Sequence, residues 1–294
     1  MSPSVGVVIP TRGDRPSLLR QAVDAVLLQD YPGELQVVVV ADGRSPHDVA
    51  GVPRPVRILP NTLTPGLPGA RNTGIAACGT DLIAFCDDDD VWLPGKLAAQ
   101  VRALDEAGGE FASCAIEVEH GGRRVTRLAG ASSVSAGDLV RSRMMMVHSS
   151  TFLFARGLLW PDESAPGGQN EDWDLALRAA KRRPLVHVDR PLVLVRWAGS
   201  HYAVRWTDRI AGLEWMLARH PELAVDPRGA ARVRGQLAFC HAALGQRRAA
   251  VRWALRALAA RLWEPRVPLA LAVASGLVTA PTVLSALHDR GHGI

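Results

Sequence analysis

The chain has 294 residues, of which 48% are hydrophobic and 21% are charged. This composition supplies one large or two small domains with a hydrophobic core, and it excludes a mainly disordered protein. The formal net charge of +5 suits an anionic partner, but composition does not distinguish nucleic acid from a membrane surface or an acidic protein.

The N-terminal segment and the cysteines indicate the compartment. Residues 5–9 form a short apolar run with no basic segment before it, which predicts a buried strand and not a secretion signal. The four cysteines, Cys78, Cys86, Cys114 and Cys240, have no CxxC spacing, and a chain of this size does not need disulfide bonds. We therefore expect reduced thiols and a cytoplasmic location.

Short apolar runs alternate with segments of helical periodicity from the start of the chain to about residue 197. Strands are predicted at residues 5–9, 35–40, 56–59 and 82–86. Helices are predicted to begin at Pro16, to cover residues 70–77 and to follow Pro94. The four strands are apolar throughout, as is typical of buried parallel strands. The pattern predicts an α/β fold, with a mostly parallel central sheet flanked by helices.

Beyond residue 204 the composition changes to helix formers, with apolar residues at helical spacing on both sides of a Gly245-Gln246 break. These residues are Val233, Leu237, Cys240 and Leu244, then Val251, Leu255, Leu258 and Leu262. Their spacing predicts an antiparallel helix pair. Residues 269–287 are mostly apolar but contain Gly276 and Pro281, so we expect packed or interfacial helices and not a membrane span. Two regions are predicted: an α/β domain of residues 1–204 and a helical region of residues 205–294.

The helical region carries the basic charge. It has 13 arginines against six acidic residues, whereas the rest of the chain is slightly acidic. Arg247, Arg248, Arg252 and Arg256 lie beside the apolar residues of its second helix. A basic amphipathic helix suits an anionic membrane surface or an acidic partner better than a nucleic-acid groove, so we expect no nucleic-acid partner. Peripheral contact with the inner face of the membrane and homodimer formation are two hypotheses, and a solvated helix face is the alternative.

An acidic cluster follows the fourth predicted strand directly. Asp87, Asp88, Asp89 and Asp90 come after the apolar residues 82–86 and before a Trp-Leu-Pro segment. Ligands of open α/β sheets bind outside the carboxyl ends of the strands, and adjacent carboxylates repel one another unless a cation lies among them. Oxygen ligands favour Mg²⁺ or Mn²⁺. The cluster therefore predicts a divalent-cation site, with a solvated acidic turn as the alternative.

Four segments of the chain, in this order, resemble the family 2 glycosyltransferases, which have the GT-A fold. The segments are residues 7–11, 38–43, 69–74 together with 85–92, and 170–174. Each match is weak alone, but the order over about residues 4–200 is specific. The resemblance implies a GT-A catalytic domain that uses a nucleotide-sugar donor, with a UDP-sugar or dTDP-sugar favoured.

The resemblance assigns contacts with the nucleotide to residues of the first three segments. These residues are Pro10, Thr11, Arg12, Asp42, Arg71, Asp88 and Asp89. Asp42 follows a buried strand, so its carboxylate can accept a hydrogen bond from the imide N–H of uracil or thymine. The planar guanidinium of Arg71 suits a diphosphate.

The metal ligands and the base are also implied by the resemblance. Asp88 and Asp90 carry the DxD pattern, with His201 as a third ligand of Mn²⁺ or Mg²⁺, and the run of four aspartates leaves the register open by one residue. Asp172 is the implied general base of an inverting transfer to a hydroxyl group. The acceptor is a glycan, a lipid-linked intermediate or a natural product.

Four further residues are expected to contact the acceptor or the sugar. They are Trp92, His148, Glu171 and Trp173. Core packing is an equally good explanation of the two tryptophans, and acidic residues are favoured at a helix start without any catalytic role. Asp174 is expected to be structural.

Three other functions remain open from the sequence. A phosphohydrolase can also place Asp-x-Asp after a strand, although usually after the first one. A sugar nucleotidylyltransferase shares the nucleotide-binding half, but it needs a Gly-rich phosphate loop that is not evident here. A non-catalytic sugar-binding scaffold would be expected to lose the acidic residues that this chain retains.

Overall fold

One ten-stranded sheet forms the centre of the fold. The structure is a computed structural model, and it describes residues 2–43, 45–46, 49, 52–53, 56–197 and 205–289.

The first part of the sheet is parallel and contains the four predicted strands. They are β1 (Val5–Thr11), β2 (Leu35–Ala41), β3 (Arg57–Pro60) and β4 (Leu82–Phe85), in the order β3-β2-β1-β4. Every residue of β1 is buried, whereas β3 is partly exposed because it is the edge strand. Because the strands are parallel, their carboxyl ends meet at one edge of the sheet.

The second part of the sheet is mixed. Its strands are β5 (Val91–Trp92), β6 (Phe111–His120), β7 (Arg123–Arg127), β8 (Ser133–Val134), β9 (Leu153–Ala155) and β10 (Leu185–Arg196). β9 is antiparallel to β4 and β6, and β10 is parallel to β6 but antiparallel to β5 and β8. Gly121 and Gly122, both with positive φ, form the two-residue turn between β6 and β7. The sheet is therefore parallel mainly in its first part, because short antiparallel strands enter after β4.

Helices cover both faces of the sheet. α1 (Pro16–Leu27) and α3 (Lys96–Ala107) pack on one face. α2 (Leu67–Ala77), α4 (Ala136–Arg141) and α5 (Glu171–Arg182) belong to the other face. Alternate residues of β1 divide between the two hydrophobic cores, since Val7 and Ile9 belong to the first and Val8 to the second.

α2 approaches β1 closely because Gly74 has no side chain. A Cβ atom at position 74 would lie 2.2 Å from Cγ1 of Val8, far inside van der Waals contact. Nearly all of α2 is buried, including Arg71. The glycine therefore permits the short distance that brings α2 and its arginine against the sheet.

Within the described residues 205–289, six helices form the C-terminal region. They are α6 (Trp206–Arg219), α7 (Glu222–Val225), α8 (Pro227–Ala243), α9 (Arg247–Ala260), α10 (Arg266–Ser275) and α11 (Ala280–His288). α8 and α9 form the predicted pair, but α9 packs through Ala250, Ala254 and Ala257. Val251, Leu255 and Leu262 are exposed and Leu258 packs against the core of the helical region, so only one residue of the predicted apolar stripe lies on the packing face of α9.

The apolar residues 269–287 form α10 and α11, which are short helices with several buried residues. Within the described ranges, no helix has the length and apolarity needed to cross a membrane.

A buried ionic cluster connects α5 with the end of α6. The carboxylate of Asp174 is fully buried and accepts hydrogen bonds from Arg178 Nε at 2.8 Å, Arg219 Nε at 2.5 Å and His220 Nε2 at 2.9 Å. Burial opposes ionisation of Asp174, but the bonds from His220, Arg178 and Arg219 hold its pKa below the usual value. Asp174 therefore ties the helical region to the helix that carries Glu171 and Asp172.

We expect Asp174→Ala to lower the free energy of unfolding by about 1–3 kcal/mol, because it leaves the buried imidazole of His220 and the partly buried guanidinium of Arg178 without their carboxylate partner. Urea unfolding at neutral pH measures the change. The loss should shrink in acid, because a carboxylate with a lowered folded pKa gives its full stabilisation above its unfolded pKa of about 3.9 and loses it as the pH falls through the folded pKa. The control Asp105→Ala removes an exposed acid and should change stability by less than about 0.5 kcal/mol. A loss below about 1 kcal/mol in Asp174→Ala would contradict the structural role.

Candidate active site

The acidic cluster lies where the sheet geometry predicts it, directly after β4 and beside the end of β1. Together with the start of α5 it borders a cavity of about 290 Å³. Predicted site residues on the cavity wall are Pro10, Arg12, Arg71, Asp88, Asp89, Asp90, His148, Glu171 and Asp172, and Asp87 lies among them.

Asp88 and Asp89 are held by residues at the end of β1 and in the loop after it. Thr11 Oγ1 donates a hydrogen bond to Asp88 Oδ2 at 2.6 Å, and Arg15 Nη2 lies 2.5 Å from Asp88 Oδ1. The other terminal nitrogen of Arg15 contacts Asp89. Burial raises the pKa of Asp88 to about 6, although the bonds from Thr11 and Arg15 oppose the rise. Arg15 therefore bridges the two middle aspartates.

Asp87 and Asp90 turn the other way, towards His148. Nε2 of His148 lies 3.8 Å from Asp87 Oδ2, and its Nδ1 lies 3.6 Å from Asp90 Oδ2. Ser149 Oγ donates to Asp87 at 3.0 Å and Ser150 Oγ donates to Asp90 at 2.6 Å. Ligand atoms of Asp87, Asp90 and His148 lie within 4.8 Å of one another, which makes the three residues a candidate metal centre.

The donor set fits a divalent cation. Burial and the charges of Asp89 and Asp87 raise the pKa of Asp90 well above its usual value, so positive charge at this place would be stabilising. Carboxylate oxygens suit Mg²⁺ and Mn²⁺, and the imidazole nitrogen favours Mn²⁺ because Mg²⁺ prefers oxygen ligands.

The metal ligands predicted from the sequence were Asp88, Asp90 and His201, and the cluster differs from this set. The backbone N–H of Asp90 donates to the carbonyl of Asp87 at 3.1 Å, which closes a turn. In such a turn the first and fourth residues come together, and the second points elsewhere. Asp87 therefore replaces Asp88 beside Asp90. His201 lies outside the described residues.

Arg71 joins the acidic cluster to α5. Its Nη2 donates to Asp87 Oδ1 at 2.6 Å, and its Nη1 contacts Glu171 Oε1. Burial raises the pKa of Glu171 to about 7, although Arg71 opposes the rise. The Nε atom of Arg71 is buried without a hydrogen-bond partner. The guanidinium is thus already engaged by two carboxylates through its terminal nitrogens, and its Nε is unused.

Asp172 lies in the first turn of α5, one residue after Glu171. Arg143 Nη2 donates to both of its carboxylate oxygens, at 2.7 Å and 2.9 Å. Burial opposes ionisation of Asp172, but the charges of Arg143, His148 and Arg71 hold its pKa below the usual value. Asp172 is therefore an ionised carboxylate on the cavity wall.

The comparison with protein families decides the classification. The family described as "Glycosyl transferase family 2" matches residues 6–160. The chain belongs to glycosyl transferase family 2. The catalytic activity of this family is glycosyl transfer, so the chain is a transferase. The match confirms the family resemblance, and its range contains the first three of the four sequence segments.

Individual relatives match only in part. An N-acetylglucosaminyltransferase of Mesorhizobium japonicum is 35% identical over 124 residues, which are 38% of this chain and 29% of that protein. The chain thus spans less than a third of that relative's length.

Solved structures share the fold of the transferase over nearly its whole length. Residues 1–349 of S. aureus TarS in complex with UDP-GlcNAc match with a TM-score of 0.62 and 14% identity, over 98% of this chain and 92% of that chain. The mannosyltransferase PcManGT from Pyrobaculum calidifontis, in complex with GDP-Man and Mn²⁺, matches with a TM-score of 0.54 and 20% identity, over 96% and 87% of the two chains. These likenesses establish the GT-A fold.

Two predicted sugar contacts of the transferase lie in its core. Trp92 and Trp173 are almost fully buried and do not line the cavity. Their indole nitrogens donate to the backbone carbonyls of Ser150 and Leu139, both at 3.1 Å. The expectation that they contact sugar is therefore corrected, because each indole has its packing and its hydrogen bond inside the protein.

Asp42 lies at the end of β2 and outside the lining of the cavity. It accepts hydrogen bonds from Asn61 Nδ2 at 2.8 Å and from the backbone N–H of Gly66 at 3.0 Å. It thus holds the segment before α2, and contact with a base stays a prediction.

Sequence reasoning missed Arg15 and Arg143. Both pair with acids far away in the chain, and neither stands in a recognisable motif. For Arg15, the only local signal is its position four residues after the end of β1.

Proposed function

We propose that the chain transfers a sugar from a UDP-sugar or dTDP-sugar to an acceptor hydroxyl, with inversion, with Asp172 as general base and with Mn²⁺ or Mg²⁺ bound at Asp87, Asp90 and His148. The observation that carries the proposal is that an ionised carboxylate and a candidate metal centre border one cavity at the carboxyl end of the parallel strands.

The reaction is a single displacement. The acceptor oxygen attacks the anomeric carbon on the face opposite the nucleotide, the bond to the nucleotide breaks, and the hydroxyl proton passes to a carboxylate oxygen of Asp172. A bound divalent cation supplies positive charge for the departing diphosphate. No covalent intermediate is needed, and attack from the opposite face inverts the anomeric centre.

Asp172 is a better candidate for the base than its neighbour Glu171. Oε1 of Glu171 contacts Arg71, and its Oε2 is buried without a hydrogen-bond partner. Because of this contact and this burial, neither oxygen is accessible to the hydroxyl group of an acceptor substrate. Arg143 orients Asp172 by contacting both of its oxygens from one nitrogen. Arg143 is in this scheme a positioning residue that keeps the base ionised.

The pyrimidine donor is supported by two considerations. Asp42 retains acceptor capacity that suits an imide N–H, and one structure of the same fold contains UDP-GlcNAc. Screening nucleotide sugars for release of the nucleoside diphosphate tests the donor class, because a nucleotidylyltransferase would instead release pyrophosphate.

Asp172→Asn should lower kcat by about 10²-fold or more, because the acceptor proton loses its base. Donor affinity should stay nearly unchanged, since the nucleotide does not need this carboxylate. Steady-state kinetics and calorimetric titration with UDP measure the two effects. Asp105→Asn, an exposed acid outside the cavity, is the matched control and should keep normal turnover. Normal turnover in Asp172→Asn would exclude it as the base.

Asp90→Asn should weaken Mn²⁺ binding by about tenfold or more, because an amide keeps the shape of the side chain but removes one ligand charge. The measurement is calorimetric titration of Mn²⁺ into the full chain in the presence and absence of UDP. Glu106→Gln, which neutralises an exposed carboxylate on α3, is the control. Equal Mn²⁺ affinity of Asp90→Asn and the unchanged protein would rule out this metal centre.

Contact with an anionic membrane surface is a second part of the proposal. Arg248, Arg252 and Arg256 recur one turn apart on the exposed side of α9, next to the exposed Val251 and Leu255. A basic helix face with adjacent apolar side chains is complementary to anionic lipid headgroups and the acyl chains beneath them. The segment after α9 adds two apolar side chains that are open to solvent, since Leu262 and Trp263 are 87% and 78% exposed.

The double variant Leu262→Ser with Trp263→Ser should reduce binding to phosphatidylglycerol vesicles by about tenfold or more, because two exposed apolar anchors are lost. Co-sedimentation at low salt measures the binding, with phosphatidylcholine vesicles as the neutral lipid. Leu28→Ser removes an equally exposed leucine from the end of α1 and should have no effect. Absence of binding by the unchanged chain would refute the membrane contact.

A further inference from the structure

A second and larger cavity adjoins the active-site cavity. Its volume is about 930 Å³, and it lies between the second part of the sheet, α4 and the C-terminal helices α6 and α8. Arg143 and His148 line both cavities. A ligand in the larger cavity would therefore be placed beside Asp172.

The larger cavity is strongly cationic. Among the described residues that line it are seven arginines and one acid, Asp138. The carboxylate of Asp138 is already used, because it accepts hydrogen bonds from the backbone N–H and the hydroxyl of Ser135 at the start of α4. The positive charge of the wall is thus not neutralised by its own acid.

Three of the arginines have carboxylate partners. Arg143 pairs with Asp172, Arg141 with Asp226 at 3.4 Å, and Arg266 with Glu264 at 2.8 Å. In contrast, no carboxylate of the described chain lies within 4.0 Å of Arg209, Arg228 or Arg232. These last three are the cations that an anionic ligand would neutralise.

Arg232 carries the inference. It is only 6% exposed, and its Nε and Nη2 atoms are buried without hydrogen-bond partners. Its remaining contacts are Nη1 at 3.5 Å from Gln236 Oε1 and the ring of Trp173, 4.6 Å from its Cζ. Burial and the charges of Arg266 and Arg143 lower its pKa to about 9, so it is still charged at neutral pH. A buried cation with unused donors is unfavourable unless an anion binds it.

Further cations line the same cavity from two helices. Arg228 and Arg232 are four residues apart on α8 and therefore share one face, with Gln236 one turn further on. Arg209 comes from α6, and burial and the charge of Arg143 lower its pKa. Several planar guanidinium groups around one space match the oxygens of a phosphate better than those of a single carboxylate.

We propose that this cavity binds a phosphate group of the acceptor, so that the transferase glycosylates a phosphate-bearing acceptor whose hydroxyl reaches Asp172. The inference rests on the proposed function and names the acceptor class for it. The rest of the acceptor lies against the apolar part of the wall, which includes Met144, Met145 and Leu213. Arg143 links phosphate binding to proton transfer, because its guanidinium can contact both the acceptor phosphate and Asp172.

The test is calorimetric titration of the full chain saturated with UDP and Mg²⁺, so that the donor cavity is filled. The probes are glycerol 3-phosphate and an isoprenyl phosphate in detergent micelles, with glycerol and empty micelles as uncharged controls. Both phosphates should bind and both controls should not. Tighter binding of the isoprenyl phosphate would assign a lipid carrier, and tighter binding of glycerol 3-phosphate a water-soluble acceptor.

Arg232→Met keeps the length of the side chain and should weaken phosphate binding by about tenfold or more, because a buried charged donor is lost. Arg228→Gln, at an exposed position that tolerates substitution, should weaken it in the same direction, and Arg232→Lys should retain part of the affinity. Arg252→Gln makes the same change of charge on α9, outside the cavity, and should bind normally.

Donor hydrolysis without acceptor separates this inference from the proposed function. Arg228→Gln and Arg232→Met should release nucleoside diphosphate at the normal rate, since neither residue lines the donor cavity. Failure of the unchanged chain to bind either phosphate, or equal binding by Arg232→Met and Arg252→Gln, would overturn the phosphate site. Absence of diphosphate release from every donor would overturn the proposed function while leaving phosphate binding to be judged by the titration.

Discussion

Mutual repulsion among four consecutive carboxylates at the end of a buried strand is the constraint on which the site depends. Three parts of the fold that approach the cluster bring groups that offset this repulsion. The end of β1 and the loop after it supply Thr11 and Arg15, α2 supplies Arg71, and the segment before β9 supplies His148 with two serine hydroxyls. The packing of β1, α2 and β9 around β4 therefore also brings neutralising groups to the aspartate cluster. This packing leaves a place for a cation.

The same principle distinguishes two acids in the first turn of the helix α5. Asp172 has one guanidinium at the cavity, whereas the fully buried Asp174 has two arginines and a histidine. In the neighbouring cavity the balance is reversed, since seven arginines line it with one acid, Asp138. Three of these arginines have no carboxylate partner in the described chain, and a bound anion would offset their charge.

The parts of the fold that sequence predicted are those with local causes. Apolar runs of strand length gave β1 to β4, and helical spacing gave α1, α2, α3, α8 and α9. The short strands between β4 and β10 have no such pattern, and their pairing depends on contacts distant in the chain. The candidate metal ligands are set by a turn and not by the alternation of a strand. For this reason Asp87 and His148 lie beside Asp90. The partners of Asp88 and Asp172 lie 73 and 29 residues away, and no local motif records such pairs.

Because Gly74 has no side chain, it affects the positions of residues that it does not contact. The separation of α2 from β1 is fixed by the absence of one methyl group at this position, since a Cβ atom would overlap Val8. Arg71 lies one turn earlier on the same helix and donates to Asp87 and Glu171. Any larger residue at position 74 would push the guanidinium away from both acids. The spacing of Arg71, Asp87 and Glu171 is thus set by an apolar contact behind them, at a residue that has no polar side chain and lies outside the cavity.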